Sequence, residues 1–293
     1  MSWLPHHALV VPDGAPPAGW LFFLHGILGS GPNWRTIARR LVSARPDWGA
    51  VLVDLRMHGR SQAAPPPHTL AAVAADLERL AADLAGRGMA VTGVVGHSFG
   101  GKAALAYRGR APAGLAETWV LDASPSARPG ALDEAAAARA TGEPPGDAAG
   151  EVLAMLGELP GLFSSRDDFL ATVTARGFSR ALADWLAMNL EREADRFRLR
   201  LDLAAVGALL ADYYEEDLWP LVESSSLPGA LRFVVAGRSS AVDAADRRRL
   251  EALAAAADIS LDVIAEAGHW LHLDAADSLL GLLGDRLSHP TRG

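Results

Sequence analysis

The feature that most constrains what this chain can fold into is Gly96-His97-Ser98-Phe99-Gly100, set directly between the apolar run Thr92 to Val95 and the helix-like Lys102-Ala-Ala-Leu-Ala-Tyr107. A serine placed between a strand end and a helix start sits on a strained turn that flanking glycines permit. That turn exposes the hydroxyl and aims the N–H of Phe99 at the same space. The bland alternative is a glycine-rich turn without chemistry. The segment also fits G-x-x-x-x-G-K, a phosphate-binding loop, but position 103 is Ala, so the hydroxyl that would ligate Mg²⁺ is missing.

Around this turn, short apolar runs alternate with amphipathic segments of helix length, the pattern of a parallel sheet covered on both faces. Strands are expected at Trp20 to Leu24, Ala50 to Leu55, Thr92 to Gly96, Thr118 to Leu121, Leu231 to Ala236 and Leu261 to Ile264. Helices are expected near 33–44, 69–87, 100–110, 243–256 and 275–287. Half of the 293 residues are apolar, enough for a large buried core. Residues 127–226 break the alternation with helical periodicity, Pro and Gly breaks and no convincing strand. They read as a helical cap inserted into a core made of residues 1–126 and 227–293. The Ala-, Pro- and Gly-rich opening of the cap, Ser126 to Gly150, is expected to be mobile in part. Trp185, Met188 and Tyr213 in the cap, with Trp270, are candidate pocket-lining residues, against the alternative that such residues at helical spacing are plain core.

A serine hydroxyl is a poor nucleophile at neutral pH and needs a base, usually a histidine held by a carboxylate. His269, in Ala267-Gly268-His269-Trp270 after the last expected strand, fits that role better than His272 or His289. His6, His7 and His68 read as solvated, and no ligand pattern for a metal accompanies His269 and His272. The second donor for an oxyanion is expected from Leu24-His25-Gly26-Ile27-Leu28-Gly29, with the N–H of Ile27 joining that of Phe99. His25, Gly26 and His58 read as residues that shape their loops. The chain has no cysteine, which excludes disulfides and thiolate sites, and its net charge of −8 argues against nucleic acid or an anionic membrane as partner. No cofactor is expected. With no signal segment and no apolar run of membrane length, a cytoplasmic enzyme acting on a small molecule is the simplest expectation.

Together HGILGS, DLRMHGRS, GHSFGGK, LDASP and AGHWLH resemble the α/β-hydrolase superfamily, specifically a branch of small bacterial and organellar esterases with D-x-R-x-H-G-x-S and a late G-H-W. Asp184 to Leu190 and Asp212 to Trp219 also look like segments of that branch. The resemblance implies cofactor-free hydrolysis of small to medium acyl esters through an acyl-enzyme. Many members place the third catalytic group after the strand matching Leu231 to Ala236, where this chain reads Gly237-Arg238-Ser239-Ser240. Similar esterases carry serine there and an aspartate after the preceding strand, which matches Asp122. Neighbouring strands lie about 4.8 Å apart, so an acid one strand from the nucleophile can reach the imidazole. Asp122 is therefore the expected orienter and Ser239 an accessory group, with Asp243 the alternative acid unless it caps the helix that follows. Leu24 to Trp34 also resembles the oxyanion loop of menaquinone-pathway synthases. A C–C bond hydrolase or lyase with the same triad is thus an alternative, one that cap arginines (Arg176, Arg180, Arg192, Arg196, Arg198, Arg200) facing the site would favour. A non-catalytic binding protein is a third reading, and Ser98 argues against the aspartate-nucleophile branches.

Overall fold

The apolar runs pair as the strands of one sheet. The computed structural model describes residues 3–134 and 149–290. Its strands are β1 (His7–Val10), β2 (Gly19–Leu24), β3 (Trp48–Val53), β4 (Val91–His97), β5 (Glu117–Leu121), β6 (Leu190–Glu193), β7 (Arg196–Leu199), β8 (Ala230–Ala236) and β9 (Ser260–Ile264). Seven of them form a sheet in the order β1-β3-β2-β4-β5-β8-β9. Every pair is parallel except β1 with β3. Every residue of β2, β3 and β5 is buried, because helices cover both faces and leave neither side of these strands wet. Side chains alternate between two cores. Leu21 and Phe23 pack with the helices Arg35–Ala44 and Ala276–Arg286, while Phe22 and Leu24 pack with Leu70–Gly86 and Phe99–Gly109.

The six strands expected from the sequence are present, with ends displaced by at most two residues. Two elements were not expected. β1 is a four-residue antiparallel edge strand, only half covered, so it carries no continuous apolar signal. The stretch read as free of strands contains the antiparallel hairpin β6–β7, turning at Ala194 with φ 55. Its residues Leu-Glu-Arg-Glu and Arg-Phe-Arg-Leu pair Glu191 with Arg198 and Glu193 with Arg196, a charged ladder that hides the strand period in the sequence. β5 and β8 are neighbours in the sheet, and between them the described chain holds this hairpin and the helices Ala149–Gly157, Arg166–Thr174, Arg180–Leu186, Leu203–Glu215 and Trp219–Val222. Most of the Ala-, Pro- and Gly-rich opening expected to be mobile falls in residues 135–148, outside the described residues. Among the described residues no helix is long and apolar enough to cross a membrane.

Lys102, the lysine of the GHSFGGK segment, ties the helix after Ser98 to this inserted stretch. Its side chain is 1% exposed, and its ammonium donates to the carbonyls of Ser126 at 2.9 Å, Tyr213 at 2.7 Å and Glu216 at 2.7 Å. Burial pushes its pKa down to about 8, yet three acceptors use all three protons of the charged form. Hydrogen bonds to charged groups contribute about 1.5–3 kcal/mol each, offset in part by the cost of burying the ammonium. Lys102→Met is expected to destabilise the protein by roughly 2–4 kcal/mol on that arithmetic. Urea unfolding followed by circular dichroism checks this, and an unchanged midpoint would show that the three carbonyls find other partners.

Candidate active site

The loops that follow β2, β4, β5, β8 and β9 converge at the C-terminal edge of the sheet, where open α/β sheets place their ligands. Ser98 follows β4 directly and caps the helix Phe99–Gly109 with φ 54 and ψ −118. Such a backbone for a non-glycine residue costs on the order of 1–3 kcal/mol. The flanking glycines are dictated by close approach. A Cβ on Gly96 would stand 2.0 Å from the carbonyl oxygen of Gly100, and one on Gly100 would stand 2.5 Å from that of Leu24.

The expected partners are assembled around this turn. His269 Nε2 lies 3.1 Å from Ser98 Oγ, and its Nδ1 lies 2.7 Å from Asp122 Oδ2. Asp122 is fully buried and held against β8: its N–H donates to Val234 O at 2.8 Å, and its Oδ1 accepts from the Ala236 N–H at 3.1 Å. One oxygen is thereby fixed and the other turned to the imidazole, whose Nδ1 carries the proton in this geometry and leaves Nε2 to accept from the serine. Asp243 is elsewhere. Its carboxylate caps the helix Ala244–Ala255, accepting from the N–H groups of Ala245 at 2.8 Å and Asp246 at 2.9 Å, and those bonds hold its pKa below the ordinary carboxylate range. Ser239 Oγ accepts from the Ala241 N–H at 3.1 Å and makes no hydrogen bond to His269 or Asp122.

Neither the Ile27 nor the Phe99 N–H donates to another described residue. A Cβ on Gly26 would lie 3.5 Å from the Ser98 Cβ, so the loop after β2 runs directly past the serine. That loop is fixed from below by buried side chains. His58 Nε2 accepts from the Leu28 N–H at 3.0 Å while Nδ1 donates to Arg56 O at 2.9 Å; His25 Nε2 accepts from the Leu55 N–H at 3.0 Å while Nδ1 donates to Gly26 O at 2.7 Å. Asp54 accepts from the Gly31 and Arg60 N–H groups at 2.8 and 2.9 Å, and Arg56 is paired with buried Asp76 at 2.7 Å. The DLRMHGRS segment is thus the foundation of the loop after β2. His6, read as solvated, bonds Asp54 at 2.9 Å.

Three further side chains matter here: His97 and Asn189, whose roles sequence reasoning did not find, and His272, weighed there as a weaker base. His97 Nε2 donates to the backbone carbonyl of His269 at 2.6 Å, anchoring the loop that carries the imidazole. Buried Asn189 donates to Leu28 O at 2.8 Å from the inserted stretch. His272 stacks on Trp34 with ring centroids 4.8 Å apart. His97 sits inside the serine motif, but its partner is 172 residues away, a separation that local sequence does not encode.

Two cavities open onto Ser98 and His269. Trp185, stacked on Trp270 at 5.5 Å, lines the first with Leu28, Trp34, Val152 and Leu182. Tyr213 lines the second with Tyr214, Arg128, Arg238 and Ser239, and Trp270 borders both. Met188 lines neither; it is 44% exposed, and its sulfur accepts from Asn33 at 3.4 Å. The cap arginines that would favour the C–C bond reading line neither cavity. Arg180, Arg198 and Arg200 pair with Asp184, Glu193 and Glu191, while Arg176 and Arg192 bond backbone carbonyls. Among the described residues no group of three or more His, Asp or Glu side chains is arranged to hold a metal ion.

The description of the alpha/beta hydrolase fold matches residues 19–276. The chain belongs to that family. It is 28% identical over 275 residues to an sn-1-specific diacylglycerol lipase ABHD11 of Xenopus tropicalis, covering 92% of this chain and 77% of that one. It is 31% identical over 100 residues to a 2-succinyl-6-hydroxy-2,4-cyclohexadiene-1-carboxylate synthase of Serratia proteamaculans, about a third of either chain (33% and 34%). Among solved structures, a marine microorganism esterase superposes with a TM-score of 0.75 at 20% identity, covering 98% of this chain and 100% of that one. An E-2-(acetamidomethylene)succinate hydrolase gives 0.69 at 20% identity, covering 95% and 98%. At these identities the two structures bear on the fold alone.

The buried histidines give the site a pH dependence. Burial pushes His58 down to about 3 and His272 to about 4, and lowers His25 and His97 as well. A proton on His58 Nε2 would face the Leu28 N–H, so the folded protein excludes it, whereas the unfolded chain takes it up near the ordinary histidine value of about 6.5. The stability this confers is whole above about pH 6.5 and is lost as pH falls toward 3, His58 alone accounting for roughly 1 kcal/mol per pH unit. Urea midpoints are expected to drop between pH 7 and pH 5, and to drop less steeply for His58→Gln.

Proposed function

We propose that the protein is a serine hydrolase that cleaves small to medium acyl esters through an acyl-enzyme intermediate. The observation that carries this reading is the unbroken chain from Asp122 through both nitrogens of His269 to the hydroxyl of half-buried Ser98, with two uncommitted backbone N–H groups beside it. In this reaction Ser98 Oγ attacks the ester carbonyl as His269 Nε2 takes its proton. The N–H groups of Phe99 and Ile27 stabilise the oxyanion, and Asp122 stabilises the imidazolium. Collapse of the tetrahedral intermediate expels the alcohol, protonated by His269. Water, deprotonated by the same imidazole, then hydrolyses the acyl-serine. The ABHD11 lipases, matched over most of the chain, support an ester substrate. Trp185 and Trp270 supply apolar surface for it, and the inserted segment between β5 and β8 serves as the cap.

The C–C bond alternative would use the same triad and draws on the similarity to the Serratia synthase over about a third of the chain. One assay separates the two. With p-nitrophenyl esters from acetate to laurate, wild type is expected to turn over and Ser98→Ala to be inactive. Asp122→Asn is expected to lose about 10⁴ in kcat, the loss seen when a triad acid is removed, while Asp243→Asn keeps near-wild-type kcat. Folded wild type that cleaves no ester would overturn the esterase reading, and equal losses in the two aspartate variants would overturn the assignment of Asp122.

A further inference from the structure

The two cavities that meet at Ser98 differ in chemistry. Besides Asn33, Ser98 and four histidines, the first is walled by tryptophan and aliphatic side chains and carries no charged acid or base; the second carries two guanidinium groups, Arg128 and Arg238, against one carboxylate, Asp274. In a chain with a net charge of −8, that local excess runs against the surface average. Many other arginines have spent their charge: Arg40, Arg110, Arg249 and Arg286 pair with Asp277, Glu78, Glu223 and Asp262. Arg128 uses one terminal nitrogen, which donates to Ala241 O at 3.1 Å and stands 3.6 Å from Asp243 Oδ2, and leaves its Nε and other terminal nitrogen without a partner among the described residues. Arg238 is exposed, and its side chain has no hydrogen bond or ion pair to another described residue, though its charge helps lower the pKa of Glu266. Both are anchored through the backbone: the Arg128 N–H donates to Tyr214 O at 2.6 Å and the Arg238 N–H to Ala267 O at 2.9 Å, two residues before His269.

Two guanidinium groups at the wall of one cavity, Arg128 paired at 3.6 Å through one terminal nitrogen with Asp243 and the exposed Arg238 with no ion pair among the described residues, fit a planar anion better than a neutral group, because a guanidinium presents paired N–H groups that match a carboxylate. Tyr213 and Tyr214 line the same cavity, and their hydroxyls make no hydrogen bond to another described residue. Burial raises both phenols above their ordinary value, so they remain donors at any physiological pH. We infer that the second cavity binds the anionic end of an amphiphilic ester, a carboxylate held by Arg128 and Arg238, while the apolar part lies in the tryptophan-lined cavity and the ester carbonyl sits at Ser98 between them. This rests on the ester-hydrolase reading and narrows it to acid-bearing substrates.

The test compares matched esters: mono-p-nitrophenyl adipate with its methyl ester, which places the charge on the acyl side, and 3-acetoxybenzoate with its methyl ester, which places it on the alcohol side. In at least one pair, wild type is expected to favour the charged member by tenfold or more in kcat/KM, chiefly through KM, with the preference weakening as salt is added. In the Arg128→Gln, Arg238→Gln double variant the ratio should fall toward one. Turnover of the esters with no charge preference in either pair, or a preference that survives in the double variant, overturns the inference and leaves the hydrolase reading standing. If wild type cleaves none of them, the hydrolase reading has failed, and calorimetry with monomethyl suberate on Ser98→Ala decides the anion site separately. Binding abolished by the two arginine substitutions supports the site, and no binding overturns it.

Discussion

Where β4 runs into the helix that follows it, the backbone passes so close to itself that only hydrogen fits at Gly96 and Gly100. That contact fixes the positive φ of Ser98, and the rest of the site is arranged around the point it defines. The hydroxyl is lifted into reach of His269, the first helical N–H is left uncommitted, and the loop after β2 must pass within van der Waals distance of the serine. The strain of one residue is sustained by a strand buried along most of its length and a helix packed on both neighbours.

The surrounding support is almost wholly a matter of assigning hydrogen-bond partners to buried backbone groups. The loop after β2 bonds to itself only in part, through Gly29 to Gly26 and Ser30 to Asn33, and the N–H groups of the left-handed Leu28 and of Gly31 find their partners elsewhere. His58 and Asp54 accept from its Leu28 and Gly31 N–H groups, Asn189 of the inserted segment donates to Leu28 O, and His25, within the loop, accepts from Leu55 and so ties the loop to the chain after β3. His97 does the same for the loop that carries His269. Neutral histidine suits this work because one ring nitrogen donates and the other accepts, so a single buried side chain can join two backbone segments without carrying charge.

The parallel core was legible because strands buried on both faces must be apolar throughout, as β2 and β3 are, and the serine turn was legible because its glycines are imposed by sterics. β1 was not, since a half-covered edge of four residues has no pattern to read. The hairpin β6–β7 was missed because its cross-strand charges masked the alternation. Asp122 and Asp243 are chemically alike in the sequence. Only the hydrogen bonds of β8 to one and of a helix N-terminus to the other tell them apart. The inserted segment was the least legible part: Trp185 faces the cavity while Met188, three residues on, faces away, and the arginines that line the second cavity lie at its start and in the loop after β8 instead of among those singled out in advance.

Placing the carboxylate after β5 has an effect on how the protein can change. The loop Gly237 to Val242 makes no hydrogen bond to the imidazole itself, whose Nδ1 bonds Asp122, and meets the loop carrying His269 through backbone bonds from Gly237 to Ile264 and from Arg238 to Ala267. Yet the same loop, through Arg238, Ser239 and Ser240, faces the space beside the serine. The carboxylate that bonds the imidazole and the side chains that line the second cavity therefore come from different stretches of chain, so substitutions in this loop can reshape that cavity while the hydrogen bonds among Ser98, His269 and Asp122 stay as they are.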